Sequence, residues 1–299
     1  MSSLASQADL SAVRREELRR GWSRLKRSAL SIAGLIVVVL VVLAAVFAPV
    51  LAPYPQDAGA GVHFDRVHQP PSLAHLFGTD DVGRDIFSRS LFGARLSLGL
   101  GVIVLVISMA IGIPLGLISG YWGGGTATVI MRTADIFLSI PSLVLALAVA
   151  AAFKPTLTTT MIAIAFSWWP WFTRLVYGEA LRVKESQFVQ ASRGLGATPW
   201  RTAYSEILPN LISPIIVKAT LDMGFVIMMD ASLSFLGLGA QPPTPAWGTM
   251  IAEGRQYLPD IWWQATMPGL MILVTVVGFN LLGDGFRDVL DVHLDTGEG

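Results

Sequence analysis

Lys218, Asp222 and Asp230 stand inside an otherwise apolar stretch running from Leu211 to Leu236. With Val226 they fall on an i, i+4 row, which drifts only slowly around a helix. An acid at the centre of a membrane-spanning helix costs about 2.5–3.5 kcal/mol to insert, so such residues face protein or a wet cavity. Lys218 and Asp222 are one turn apart and are expected to pair. Asp230 has no cation near it in its own helix. Two readings of it are open: with Asp222 it faces a pathway for a charged solute, or it makes a structural contact at an interface with a partner subunit. Neither is catalytic, because two acids on one helix are not the facing pair that aspartyl chemistry needs.

Other reactive groups are scarce. The absence of cysteine excludes disulfide frameworks, Cys-ligated zinc and thiol catalysis. No phosphate-cradling G-x-x-x-x-G-K-[ST], no H-E-x-x-H, no dinucleotide fingerprint and no catalytic triad occurs. His63, His68 and His75 do not share a helical face, and Asp80, Asp81 and Asp85 lack the spacing of an EF-hand. No metal site is expected. Gly78, Thr79, Asp80, Gly83 and Asp85 read as turns and caps, and Arg84, Arg89 and Arg95 as anchors of a short amphipathic surface helix.

The elements that must position these groups are set by solvent. Of 299 residues, 53% are hydrophobic and only 14% charged, and the mean hydropathy is +0.59. A soluble domain is about a quarter charged, so the chain cannot cover a water-facing surface. Zero net charge excludes a strongly basic nucleic-acid binder. Six segments suit the roughly 20 apolar residues that a spanning helix needs: Leu30–Phe47, Leu96–Ile118, Ile136–Phe153, Pro155–Thr173, Leu211–Leu236 and Ile261–Gly283. The first lacks a small-x-small cleavage site and reads as a retained anchor. With the N-terminus inside, 15 of the 21 Lys and Arg fall on the inner side and 6 on the outer, so both termini are expected to be cytoplasmic. Asp135 is expected to pair with Arg132 at the membrane surface. Trp262 and Trp263 read as an interfacial belt. Trp168, Trp169 and Trp171 read as packing residues, with Pro170 kinking their helix.

The resulting organisation is a cytoplasmic segment 1–29, a first transmembrane helix 30–50, an extracytoplasmic loop 51–95, a transmembrane core 96–283 and a cytoplasmic tail 284–299. Within the core, a cytoplasmic loop at 179–209 carries the most information. Glu179 to Leu195 is expected to be helical, with Phe188, Ala191, Ser192 and Leu195 at the i, i+3, i+4, i+7 spacing of one buried face. Gly196 stands where a helix end favours a left-handed residue. Thr198 and Pro199 read as the cap and first position of a second short helix, Pro199–Leu208, that stops before Pro209.

Gln190-Ala191-Ser192-x-x-x-Gly196, followed by Leu208-Pro209, resembles the EAA loop of ABC importer permeases, with Gln190 in place of the usual Glu and Ser192 in place of the second Ala. Three further stretches resemble the C-type permease of di- and oligopeptide importers. They are Phe77-Gly78-Thr79-Asp80-x-x-Gly83-Arg84-Asp85, Ser234-Phe235-Leu236-Gly237-Leu238-Gly239 with Gln241-Pro242-Pro243 and Trp247-Gly248, and Asn280-Leu281-Leu282-Gly283-Asp284-Gly285. Members of that family carry Glu where Asp230 stands.

The resemblance implies an all-α integral membrane protein of type I ABC importer permease architecture in a prokaryotic inner membrane. It implies short-peptide import by alternating access, with glutathione-like or nickel cargo as alternatives. Gln190, Ala191, Ser192, Gly196, Thr198, Pro199, Leu208 and Pro209 would couple the chain to an ATPase. The implied partners are a second permease, two ATP-binding-cassette subunits holding ATP and Mg, an extracytoplasmic binding protein and lipid. The rival class is a secondary transporter, for which inverted repeats and broken helices would be expected; the sequence displays neither.

Overall fold

The computed structural model describes residues 28–290. The basic residues from Arg14 to Arg27 and the tail beyond Leu290 lie outside them. Among the described residues the structure is helical, and the extended backbone amounts to one isolated bridge between Thr79 and Asp85.

Helix α1 (Ala29–Val46) begins where the Ser28 side chain accepts from the Ser31 N–H at 3.3 Å. An irregular segment with two short 3₁₀ turns, Pro55–Ala58 and Phe64–Arg66, leads to α2 (Ile86–Trp122). The Asp85 carboxylate caps α2 by accepting from Ser88 N–H at 2.7 Å. Then follow α3 (Gly124–Leu138), α4 (Ser142–Ala151), α5 (Leu157–Lys184), α6 (Gln187–Gly194), α7 (Pro199–Phe235), α8 (Trp247–Gly254) and α9 (Trp263–Leu290).

Four of these, α1, α2, α7 and α9, are long and apolar enough to cross a membrane. The expected third span is not one rod: α3 and α4 meet at an angle of 84°. The break falls at Ser139–Pro141, because Pro141 cannot continue the ladder of α3 and opens α4 instead. Counted as one broken span, this pair makes a fifth. Helix α5 is 28 residues long, but its threonines and tryptophans leave it less apolar than α1, α2, α7 and α9.

The α2–α5 pair is the most extensive helix contact. It closes over three glycines one turn apart on α2. A Cβ on Gly112 would lie 2.7 Å from Phe172 Cβ, one on Gly116 2.7 Å from Val176 Cβ, and one on Gly120 2.6 Å from Ala180 Cβ. In lipid, where apolar burial gives little drive, such close backbone approach is what holds helices together. Helix α1 packs against α9, and α7 lies against α2, α5 and α9.

Two expectations for the 179–209 loop need correction. Residues 179–195 are not one helix: α5 ends at Lys184 and α6 starts at Gln187. Nor does the second helix stop before Pro209. The six residues Thr202–Ile207 form a widened π turn, which accommodates the N–H that Pro209 lacks, and the helix runs on for 37 residues to Phe235.

Candidate functional site

Three groupings hold the residues singled out above. The first is the elbow between α6 and α7. Helix α6 ends at Gly194, Gly196 takes φ +88°, and the Thr198 hydroxyl accepts from Arg201 N–H at 3.4 Å to start α7. Ser192 donates to the Glu206 carboxylate, so the two arms are tied across the bend. The expected buried face is turned the other way. Phe188 is 49% exposed and Leu195 91%, with Ala191 exposed and Ser192 half-buried. The buried side chain is Val189, which packs on Ala203, Ile207 and Leu211 of α7. The chain's own core takes Val189, leaving the apolar row outward. Trp200, also exposed, stacks on Tyr204 with centroids 5.8 Å apart and meets Trp122 at a tilt, with centroids 4.6 Å apart. Gln190 Nε2 donates to Glu185 O at 3.0 Å, and Leu208 is half-buried while Pro209 is exposed. Glu206 was missed in the sequence; only its place one helical turn before Asn210, in a run already marked by Pro209, could have drawn notice.

The second grouping surrounds the acids of α7. Asp222 is buried, and Lys218 Nζ donates to its Oδ1 at 2.7 Å, as the spacing predicts. Trp168 Nε1 of α5 donates to Oδ2 at 2.8 Å. Lys218 also lies 5.4 Å from the Trp171 ring centre, so one lysine, one carboxylate and two indoles form a clasp between α5 and α7. Asp230 is buried with Ser234 Oγ at 3.5 Å and Ser97 of α2 beside it. Both acids lie among the chain's own helices. Asp135 meets Arg174 of α5, not Arg132, because α5 runs alongside α3 and brings a guanidinium to it.

The third grouping is an ionic cluster that roots the 52–85 segment. Arg84 and Arg89 are buried, contrary to the surface-anchor expectation; only Arg95 is exposed. Asp80 Oδ2 accepts from Arg84 Nε at 2.7 Å and lies 3.7 Å from Arg89 Nε. Asp57 is fully buried; its Oδ2 accepts from Asp85 N–H at 2.8 Å, and its Oδ1 meets His63 Nε2 at 2.9 Å. His75 Nδ1 meets Asp85 Oδ1 at 3.0 Å. His63 and His75 are thus each engaged by an acid, His68 instead packs edge-on to Tyr257, and no three metal-ligating side chains converge among the described residues. Two tryptophans complete the rooting: Trp263 Nε1 donates to Thr79 O at 3.3 Å and Trp247 Nε1 to Ser90 O at 2.9 Å. Trp263 is therefore buried, and only Trp262 keeps the exposure of an interfacial residue. From α8, Glu253 approaches the arginines, with Oε2 3.6 Å from Arg89 Nη2 and 3.9 Å from Arg84 Nη2. Burial pushes the Glu253 carboxyl above its usual range, against the pull of Arg89 and Arg84.

Residues 112–295 match the family described as binding-protein-dependent transport system inner membrane component. Residues 17–71 match the N-terminal transmembrane domain of oligopeptide transport permease C. The chain is 47% identical over 267 residues to a probable D,D-dipeptide transport system permease protein of Escherichia coli K12, covering 89% of each. It is 44% identical to a dipeptide transport system permease protein of the same organism, covering 93% of each. It is 41% identical to a glutathione transport system permease protein of Pectobacterium atrosepticum, covering 93% of this chain and 92% of that one. In fold it is similar to a chain of the inward-facing MetNI methionine ABC transporter. That match has a TM-score of 0.56 at 19% identity and covers 68% of this chain and 96% of the other.

Proposed function

The chain belongs to the inner-membrane components of binding-protein-dependent transport systems, multi-pass and non-catalytic permease subunits, and from that premise we propose that it carries short peptides inward by alternating access. Peptide cargo is supported by dipeptide permease relatives at 44% and 47% identity over most of the chain. Six spans with both termini cytoplasmic follow if α5 and the bent α3–α4 pair each cross once, which the distribution of Lys and Arg favours. The 52–85 segment and α8 then face outward, and the α6–α7 elbow faces the cytoplasm.

One observation carries the coupling role. The elbow presents Phe188, Ala191 and Leu195 outward while Val189 alone packs inward. An apolar row left uncovered beside a glycine-pinned bend is a docking face. Gln190, Ala191, Ser192, Gly196, Thr198, Pro199, Leu208 and Pro209 build or flank it, and its occupant on this reading is one of two ATP-binding-cassette subunits that hold ATP and Mg. A second permease and an extracytoplasmic binding protein complete the assembly. Burial of Asp222 and Asp230 among the chain's own helices argues against both the pathway and the partner-interface reading.

The test is purification of the membrane complex with the unmutated chain and with Gly196→Trp. Co-purifying ATPase subunits, with hydrolysis stimulated by peptide-loaded binding protein in the parent and lost in the variant, are expected. If no ATPase co-purifies and the variant behaves as the parent, the coupling role is wrong.

A further inference from the structure

A cleft of about 370 Å³ opens between the last turn of α7, the 240–242 backbone and α8. Its polar lining divides into groups that shape the wall and charged groups that still have hydrogen-bonding capacity. Thr249 Oγ1 donates to Ala240 O at 2.7 Å, and Gln241 Nε2 donates to the Gly237 and Gly239 carbonyls at 3.0 Å each. These hold the wall in shape. Two charged side chains of opposite sign line the rest. Glu253, one-fifth exposed, is ion-paired through Oε2 with Arg89 and Arg84 at 3.6 and 3.9 Å, contacts too long for hydrogen bonds. Among the described residues its carboxylate accepts no hydrogen bond. Arg255 is exposed, lies 4.5 Å above the Phe235 ring centre and joins no ion pair among the described residues. Apolar surface from Phe235 and Leu236 lies in the same cleft.

A half-buried carboxylate with open acceptor positions takes a charged donor. A guanidinium over an aromatic ring and outside any ion pair keeps N–H donors for a carboxylate. We propose that this cleft is a binding site for a short zwitterionic peptide, its ammonium terminus on Glu253, its carboxylate terminus on Arg255 and an apolar side chain against Phe235. The site deepens the importer reading and rests on it: placed on the outward side, it receives cargo before the transmembrane pathway. A volume of this size suits a di- or tripeptide and leaves no room for a folded segment.

The complete permease–ATPase complex is reconstituted in nanodiscs without binding protein, and binding of Ala-Phe, N-acetyl-Ala-Phe and Ala-Phe-amide is measured by saturation-transfer NMR. The parent is expected to bind the free dipeptide about tenfold more tightly than either capped form, as a charge-assisted hydrogen bond supplies. Glu253→Gln should lose that tenfold and cease to distinguish Ala-Phe from its N-acetyl form, while still rejecting the amide. Arg255→Gln should do the reverse. Discrimination unchanged in both variants overturns the site. Should the Glu253→Gln complex fail to assemble, the exposed Arg255 arm decides alone. ATP-driven uptake of the same dipeptide by the parent with its binding protein is measured alongside in sealed proteoliposomes. Uptake without charge matching in the cleft sinks the site and spares the importer reading; charge-matched binding without uptake supports the site and sinks that reading.

Discussion

The indole of Trp168 donates to Asp222 across the α5–α7 contact at 2.8 Å, while Lys218 grips the other carboxylate oxygen at 2.7 Å. A buried carboxylate with both oxygens engaged has a definite cost structure: losing one partner strands a charge, whereas losing the pair together need not.

Lys218→Met should therefore lower stability by about 3–5 kcal/mol, and Lys218→Met with Asp222→Leu should recover much of it. Thermal melts of the purified complex would check this. A double variant as unstable as the single one would show that the clasp does not act as a unit.

The glycine row of α2 gives a second expectation with a control in the same helix. Gly116→Val must push α5 away and should cost about 1–3 kcal/mol or more, read as loss of intact complex on mild heating. Gly99, on the same helix, has nothing within 4 Å of an added Cβ. Gly99→Ala should be neutral or stabilising by about 0.5–1 kcal/mol through helix propensity.

Ser192→Ala removes the donor that ties α6 to Glu206. The lost bond is worth about 1–2 kcal/mol, so the complex should still assemble. Hydrolysis stimulated by loaded binding protein should fall several-fold, with basal hydrolysis nearly unchanged. Stimulation equal to the parent's would show that the tie plays no part in coupling.

The Glu253 carboxyl has a folded-state pKa raised from 4.5, chiefly by burial. A raised carboxyl pKa favours the folded state when protonated, so its cost is absent below the unfolded value and complete once pH exceeds the folded one. Glu253→Gln should melt higher than the parent at pH 8 and lose that advantage as pH falls toward 4. A constant offset between the two melts across that range would contradict the assignment.

Much of this was legible from residue types alone. The Lys218–Asp222 pair follows from one-turn spacing, the elbow from Gly196 and Thr198-Pro199, and four of the six expected spans from their apolar runs. What failed did so for tertiary reasons. Periodicity reports that Phe188, Ala191 and Leu195 share a face, but not whether this chain or another covers it. Arg84 and Arg89 look like surface cations until α8 brings Glu253 to them beside the local Asp80. Asp135 found Arg174 because α5 lies along α3, which no local pattern encodes. The Gly112, Gly116, Gly120 repeat went unread, although small residues every fourth position in an apolar helix mark a close-packed seam.

The unbroken course of α7 through Pro209 makes one rod of 37 residues, about 55 Å long, nearly twice the hydrocarbon thickness. Trp200 lies in its first turn, and Phe235, in the wall of the Glu253 cleft, ends it. A beam of that length is its own linkage. Tilting it about 5° around its midpoint swings each tip by about 2 Å in opposite directions, enough to break a hydrogen bond at either extremity. If the helix moves as one body, a tilt at the elbow would reach the cleft as leverage, with sign reversed and no chain of intermediate side chains to relay it.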